Sequence, residues 1–188
     1  MKAIKGALPA FSPVYKEDSW ESISSYPTSK FNLVSKEMAI EGKVEAELEL
    51  KSTPDMYFKR LKSEIHHAPN ASSDKIHAIE VHEGDWETPG SVKLWTYTID
   101  GRKETFKEKI EVDDQTKTVS MVAVGGHVLD RYKNYKLCVQ IVPQENRAVA
   151  KISITVEKND ADVPDPHDYL QHAISVAKDI DEHLVAQS

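Results

Sequence analysis

Between Lys43 and Lys158 the chain repeats one pattern: short runs of alternating apolar and polar residues, joined by tight-turn chemistry. Val44, Ala46, Leu48 and Leu50 interleave with Glu45, Glu47 and Glu49, which marks a strand with one buried and one wet face. Six further runs follow, over 75–83, 91–99, 103–112, 117–125, 132–142 and 147–158. Asp100-Gly101 is the residue pair that a two-residue hairpin favours, and Asp113-Asp114-Gln115 and Gln144-Glu145-Asn146 close two more turns. Short strands on tight turns predict one meandering antiparallel sheet.

Helical chemistry is confined to two places. Ser52-Thr53-Pro54-Asp55 offers a capping hydroxyl and a proline in the first turn, and Met56, Phe58 and Leu61 fall on the inner side of the short helix that follows. His66-His67-Ala68-Pro69-Asn70 is expected to break it, with a second helical turn before Lys75. At the other end, Asp162-Val163-Pro164-Asp165-Pro166 stops the sheet, because proline cannot donate to an interior ladder. Leu170, Ala173, Ile174, Ala177, Ile180 and Leu184 then recur at helical spacing, with Asp179, Asp181 and Glu182 on the outer face. The fold class is therefore α+β: seven strands with one apolar face, two short helices after the first strand, and one long helix to cover that face.

Composition removes several functions. The net charge is −7 without a cluster of Lys or Arg, so no nucleic-acid surface is expected. No apolar run approaches the ~20 residues of a membrane span, so no membrane partner is expected either. The single cysteine, Cys138, excludes an internal disulfide, and zinc-type spacing is absent. We expect no metal and no cofactor, and a reducing, cytoplasmic setting. Oligomeric state is not legible, and a monomer is the default.

Residues 1–37 differ from the rest. They are rich in Ser and Pro (Pro9, Pro13, Pro27), contain no Arg, and carry Glu17, Asp18, Glu21 and Glu37. Neither a secretory nor a transit signal has that composition. We read 1–37 as a disordered tail or an upstream extension of a gene model that ordinarily starts at Met38, and 38–188 as the domain.

His82-Glu83-Gly84-Asp85-Trp86, followed by Gly90-Ser91-Val92-Lys93-Leu94-Trp95, resembles the hallmark of the major latex proteins, a plant branch of the birch pollen allergen superfamily. Met38-Ala39-Ile40-Glu41-Gly42-Lys43 is similar to their usual start, and the order of elements is also theirs, so the resemblance covers 38–188. It implies the START-like helix-grip fold: a curved seven-stranded antiparallel sheet wrapped around a long C-terminal helix. Departures limit what carries over. Gly125-Gly126-His127 stands where relatives commonly read Glu-Gly-Asp, which puts transfer of a ligand in doubt. The Ser-Gly-Leu-Pro-Ala gate and His-Arg-Leu latch of the related hormone receptors are missing, so an abscisic-acid receptor is excluded. The ribonuclease activity proposed for relatives lacks a basic groove here.

Alternation assigns the inner face of the sheet. Lys93, Trp95, Tyr97 and Ile99 lie on it, then Phe106, Glu108 and Ile110, then Val119, Met121 and Ala123. Tyr135, Leu137 and Val139, and Ile152, Ile154 and Val156, complete it. These residues describe an ordinary packed core equally well. Members of the resembled family keep an internal cavity, and on that basis Phe58, His66, His67, Lys93, Trp95, Tyr97, Phe106, Glu108, Met121, Tyr135, Leu137, Ile152, Ile154, Leu170, Ala173, Ile174 and Ala177 are expected to border it. The Gly84–Gly90 loop joins two strands and carries Asp85 and Glu87, so phosphate binding is rejected and a hairpin gating the cavity mouth is expected.

Acid–base chemistry needs a titratable group in a dry pocket, which makes Glu108, Tyr97 and His66 the catalytic candidates. His66 and His67 are adjacent and so diverge, which disfavours a metal pair. His77, His82, His127, His167, His172 and His183 are expected on the surface. What the resemblance implies is binding of a small hydrophobic metabolite (a steroid, terpenoid or alkaloid), linked to defence or stress. One alternative is a cofactor-independent isomerase or cyclase of specialised metabolism using the same cavity. A second is an interaction protein without ligand.

Overall fold

A computed structural model describes residues 40–145 and 147–188, so the reading of 1–37 lies outside the described residues. Strand β1 (Glu41–Leu50) is followed by helix α1 (Pro54–Lys62), a single 3-10 turn (Ile65–His67) and helix α2 (Ala68–Ala71). Strands β2 (Ile76–Glu83), β3 (Val92–Ile99), β4 (Arg102–Asp113) and β5 (Thr118–Gly126) come next. A four-residue helix α3 (Val128–Arg131) precedes β6 (Tyr132–Gln144) and β7 (Arg147–Lys158), and helix α4 (His167–Ala186) ends the chain.

All neighbouring strands pair antiparallel, in the order β1-β7-β6-β5-β4-β3-β2. Six strands therefore form a meander, and β1 adds to its far edge beside β7, with Val44 opposite Ile154 and Ala46 opposite Ile152. Asp100 and Gly101 both take positive φ (49° and 75°), the conformation of the twisted two-residue hairpin expected there. Strands and turns thus follow the sequence pattern within one or two residues at each end.

One expectation changes. His66 to Asn70 does not break the helical segment; it carries the 3-10 turn and most of α2. Pro69 sits in the first turn of α2, where a missing N–H costs nothing.

The helix α4 lies on the apolar side of the sheet, and its C-terminal half is fastened by polar contacts. Asp181, only 3% exposed, accepts from Lys51 N (2.8 Å), Ser52 N (2.9 Å) and Ser52 Oγ (2.6 Å) at the end of β1. Tyr57 Oη of α1 donates to the Ala177 carbonyl at 3.0 Å, and Lys75 pairs with Asp179 at 2.8 Å. Replacing Asp181 with Ala strands a buried hydroxyl and two amides. We expect a loss of roughly 2–4 kcal/mol in urea unfolding, and a smaller loss for Asp181→Asn, which keeps one acceptor. Equal stability of Asp181→Ala and the parent chain would show that the clamp is dispensable.

Candidate functional site

The fastening leaves a cavity between the N-terminal two-thirds of α4 and the sheet, with a volume of about 100 Å³. The sheet contributes Ile76, Trp95, Tyr97, Phe106, Met121, Tyr135, Leu137, Val139 and Ile152, and α3 contributes Val128. Tyr57, Leu61 and Ile65 close one side from α1 and the 3-10 turn. Tyr169, His172, Ala173, Val176, Ala177 and Ile180 form the helix side. Bulk from the sheet meets small residues on the helix at Ala173 and Ala177, which leaves the space.

Of the residues expected at this wall, Trp95, Tyr97, Phe106, Met121, Tyr135, Leu137, Ile152, Ala173 and Ala177 border the cavity. The other eight lie elsewhere. Phe58 is buried but turned away from the cavity, beneath the ammonium groups of Lys62 and Lys117 (5.9 and 5.4 Å from its ring centre). Ile154 and Leu170 are buried in the solid part of the core, and Ile174 is half-buried against it. A helix on a sheet buries an arc wider than 100°, and only part of that arc faces the gap. His66 is exposed and His67 half-buried, and neither reaches the cavity. Lys93 and Glu108 are fully buried, one inward pair further along β3 and β4 than Trp95 and Phe106.

His172 corrects an expectation. It is half-buried, its Nε2 is enclosed without a hydrogen-bond partner among the described residues, and its ring lies 5.3 Å from that of Tyr97. Burial, reinforced by Lys75, lowers its pKa, so the ring is neutral at pH 7. Tyr169, His172 and Val176 stand at spacings of three and four, the one signal that would have placed His172 on the inner stripe.

Two groups of polar side chains adjoin the cavity. At one end Glu104, 8% exposed, accepts from Tyr97 Oη (3.1 Å) and Tyr169 Oη (2.8 Å), with Arg102 Nε 3.5 Å from its other oxygen. Burial first, then Glu104 for Tyr169 and the neighbouring tyrosines with Glu104 for Tyr97, raises both well above their ordinary pKa, so they remain donors. Arg131 pairs with Asp168 at 2.6 Å and stacks over Tyr132 and Tyr169 (5.3 and 5.2 Å). At the other end Lys93 and Glu108 face each other across β3 and β4, yet come no closer than 4.0 Å. Lys93 Nζ, Trp95 Nε1 and both Glu108 carboxylate oxygens have no hydrogen-bond partner among the described residues. Burial pushes Glu108 up to about 7, held back in part by the Trp95 N–H and Lys93, although neither closes a hydrogen bond to it. Burial also lowers Lys93, against the pull of Glu108 and Asp85.

The Gly84–Gly90 loop covers this second group and does not border the cavity. Trp86 lies 5.6 Å from Lys93 Nζ and 4.9 Å from the His66 ring, and His66 is 4.1 Å from His67. The loop amides of Glu87 and Thr88 are already used by the Asp85 carboxylate (2.8 and 2.6 Å), which leaves them unavailable to a phosphate. Gly126 has φ +97°, and a Cβ there would lie 2.3 Å from the Thr105 carbonyl oxygen. His127 beside it accepts from Thr105 N at 2.9 Å, so the Gly-Gly-His segment closes the chain onto β4.

Residues 39–187 match the model of the pathogenesis-related protein Bet v 1 family. MLP-like protein 328 of Arabidopsis thaliana is 34% identical over 149 residues, covering 79% of this chain and 99% of that protein. MLP-like protein 329 of the same plant is 36% identical, with the same coverage. The crystal structure of major latex-like protein 151 from Panax ginseng superposes with a TM-score of 0.75 at 32% identity, over 77% of this chain and 97% of that one.

Glu108 makes stability depend on pH. Its carboxyl ionises near 4.5 in the unfolded chain and at about 7 when folded. Below pH 4.5 both states keep the proton, and between 4.5 and 7 the unfolded state releases it first, so stability falls as pH rises. Above 7 the loss is complete, at about 3 kcal/mol. Urea unfolding of Glu108→Gln should lack this decline; parallel profiles from pH 4.5 to 7.5 would refute it.

Proposed function

The chain belongs to the pathogenesis-related protein Bet v 1 family, and from that premise we propose that it binds a small hydrophobic metabolite between α4 and the sheet. The observation that carries this reading is the cavity itself: its wall is almost wholly aliphatic and aromatic, with a few polar groups at its margins. At about 100 Å³ it is of the order of an engineered cavity of about 150 Å³ that admits benzene, and smaller than the ~300–1,000 Å³ of most ligand sites. A steroid, terpenoid or alkaloid therefore requires the helix or Met121 to yield, and Met is the core residue best able to change shape. The description of the family as pathogenesis-related supports the reading of a plant protein acting in defence or stress responses. We also propose a cytoplasmic setting; no helix among the described residues is long and apolar enough to cross a membrane.

One observation favours the enzymatic alternative. A buried carboxyl with a pKa of about 7 is suited to moving a proton at neutral pH. An isomerase or cyclase of this kind loses turnover in Glu108→Gln while still binding its substrate.

Binding is tested first with an uncharged fluorescent probe, N-phenyl-1-naphthylamine. Saturable binding near one probe per chain is expected. Ala177→Leu, which fills the cavity from the helix side, should weaken that binding at least tenfold without lowering the melting temperature. Probe binding that Ala177→Leu leaves unchanged places the probe elsewhere and counts against the cavity, and a folded protein that takes up neither this probe nor a one-ring ligand such as toluene favours an interaction protein.

A further inference from the structure

Inside the grip three polar side chains converge without satisfying one another. Lys93 and Glu108 are 0% exposed and Trp95 8%. All three point to the inner side of adjacent strands, Lys93 opposite Glu108 and Trp95 opposite Phe106, about 7 Å apart along the strand direction. Trp95 and Phe106 are cavity wall, Lys93 and Glu108 stand directly behind them without bordering the cavity, and the unpaired Trp95 N–H lies on the Glu108 side, so a ligand group reaches the pair only past the edge of that indole. Trp86 and His66 cover the pair on the side of the loop. An ammonium and a carboxylate buried side by side would ordinarily close an ion pair, because each alone is costly to desolvate. Here they stand more than 4.0 Å apart, with an N–H between them and the cavity.

The donor and acceptor count selects the chemistry that fits. Lys93 and Trp95 offer N–H donors, and the Glu108 carboxylate offers acceptors. A hydroxyl has two lone pairs and one proton, so a single oxygen answers all three groups. A carboxylate brings no proton for Glu108 and opposes its charge. An ammonium opposes Lys93, and a hydrocarbon leaves every group unanswered at the cost of buried unsatisfied polar atoms. We propose that Lys93, Glu108 and Trp95 form a polar subsite that receives one ligand hydroxyl, so that the ligand of this cavity is an alcohol or phenol on an otherwise apolar body. Lys93 and Trp95 donate to its oxygen, and Glu108 accepts its proton in a hydrogen bond. This inference rests on the cavity-binding reading above.

The test uses the full ¹⁵N-labelled chain and three ligands of one-ring size: phenol, toluene and benzoate. Affinities come from titrations followed by NMR, with the indole N–H signal of Trp95 assigned by difference from Trp20→Phe and Trp86→Phe, the chain having three tryptophans. Phenol should move the Trp95 signal downfield, and toluene should not. The ratio of phenol to toluene affinity should fall about tenfold or more in the double variant Lys93→Met/Glu108→Leu, because hydrogen bonds to charged groups are lost. Toluene affinity itself should be retained, since apolar replacements of a buried charge pair are commonly tolerated. Should that variant fail to fold, the wild-type Trp95 signal decides: a phenol-specific downfield shift supports the subsite, and equal shifts overturn it. Toluene binding with an unchanged phenol ratio overturns the subsite alone. Tighter binding of benzoate than of phenol overturns the hydroxyl in favour of an anion. Failure of both toluene and phenol to bind overturns the cavity reading and the subsite with it.

Discussion

A single helix has to cover the apolar side of seven strands, and it does so unevenly. Asp181 collects two backbone amides and a hydroxyl from the end of β1, and Tyr57 fixes the Ala177 carbonyl from α1. These contacts hold the C-terminal half of α4 against the end of β1 and against α1, with Tyr57, Ala177 and Ile180 still bordering the cavity. Toward its N-terminus the helix presents Ala173 and Ala177 to Met121 and the aromatic strands, and the distance that the fastening imposes is not filled. The cavity is thus a consequence of where the helix is pinned, as much as of which side chains surround it.

The polar side chains inside the grip divide by how well they are satisfied. Glu104 has two tyrosine donors and an arginine beside it, an arrangement that stiffens one end of the cavity. Lys93 and Glu108 close no hydrogen bond, with only the Trp86 ring near the ammonium and the Trp95 N–H near the carboxyl, and burial raises the carboxyl to about 7 and lowers the lysine. A fold that needed only stability would be served as well by two apolar residues at these positions. Their burial, unpaired, directly behind a cavity wall is the physical ground for the proposal that they recognise a ligand.

Much of the architecture was legible because period-2 alternation is a local property. Asp100-Gly101 and Glu45-Ala46-Glu47-Leu48 announce a turn and a strand from a few residues. Alternation also turned Lys93 and Glu108 inward correctly. The helix side was less legible: Leu170 and Ile174 share the apolar stripe with Ala173 and Ala177, yet only the latter pair borders the cavity. Which part of a stripe meets a gap depends on the distance at which Asp181 and Tyr57 hold the helix, and that is set by residues 120 or more positions away in the chain. His172 was legible in principle, at three- and four-residue spacing from Tyr169 and Val176, whereas the stacking of His66 on Trp86 arises only once two separate segments meet.

The modest volume of the cavity bears on how any larger ligand would enter. Its wide end is closed by Tyr97 and Tyr169 on Glu104 and by Arg131 on Asp168, and these contacts tie the N-terminal turn of α4 to β4 and to the end of α3. The C-terminal half of the helix is held by the buried Asp181 clamp. A ligand bigger than one ring can therefore lift the N-terminal turn more readily than the rest, because the Arg131–Asp168 pair is partly solvated and such pairs are individually weak. The same displacement would loosen the tyrosine donors from Glu104 and expose its carboxylate to the incoming molecule. Ligand size and access to Glu104 are thereby coupled through one turn of helix, while the Lys93–Glu108 pair, on the far side of Trp95, keeps its geometry throughout.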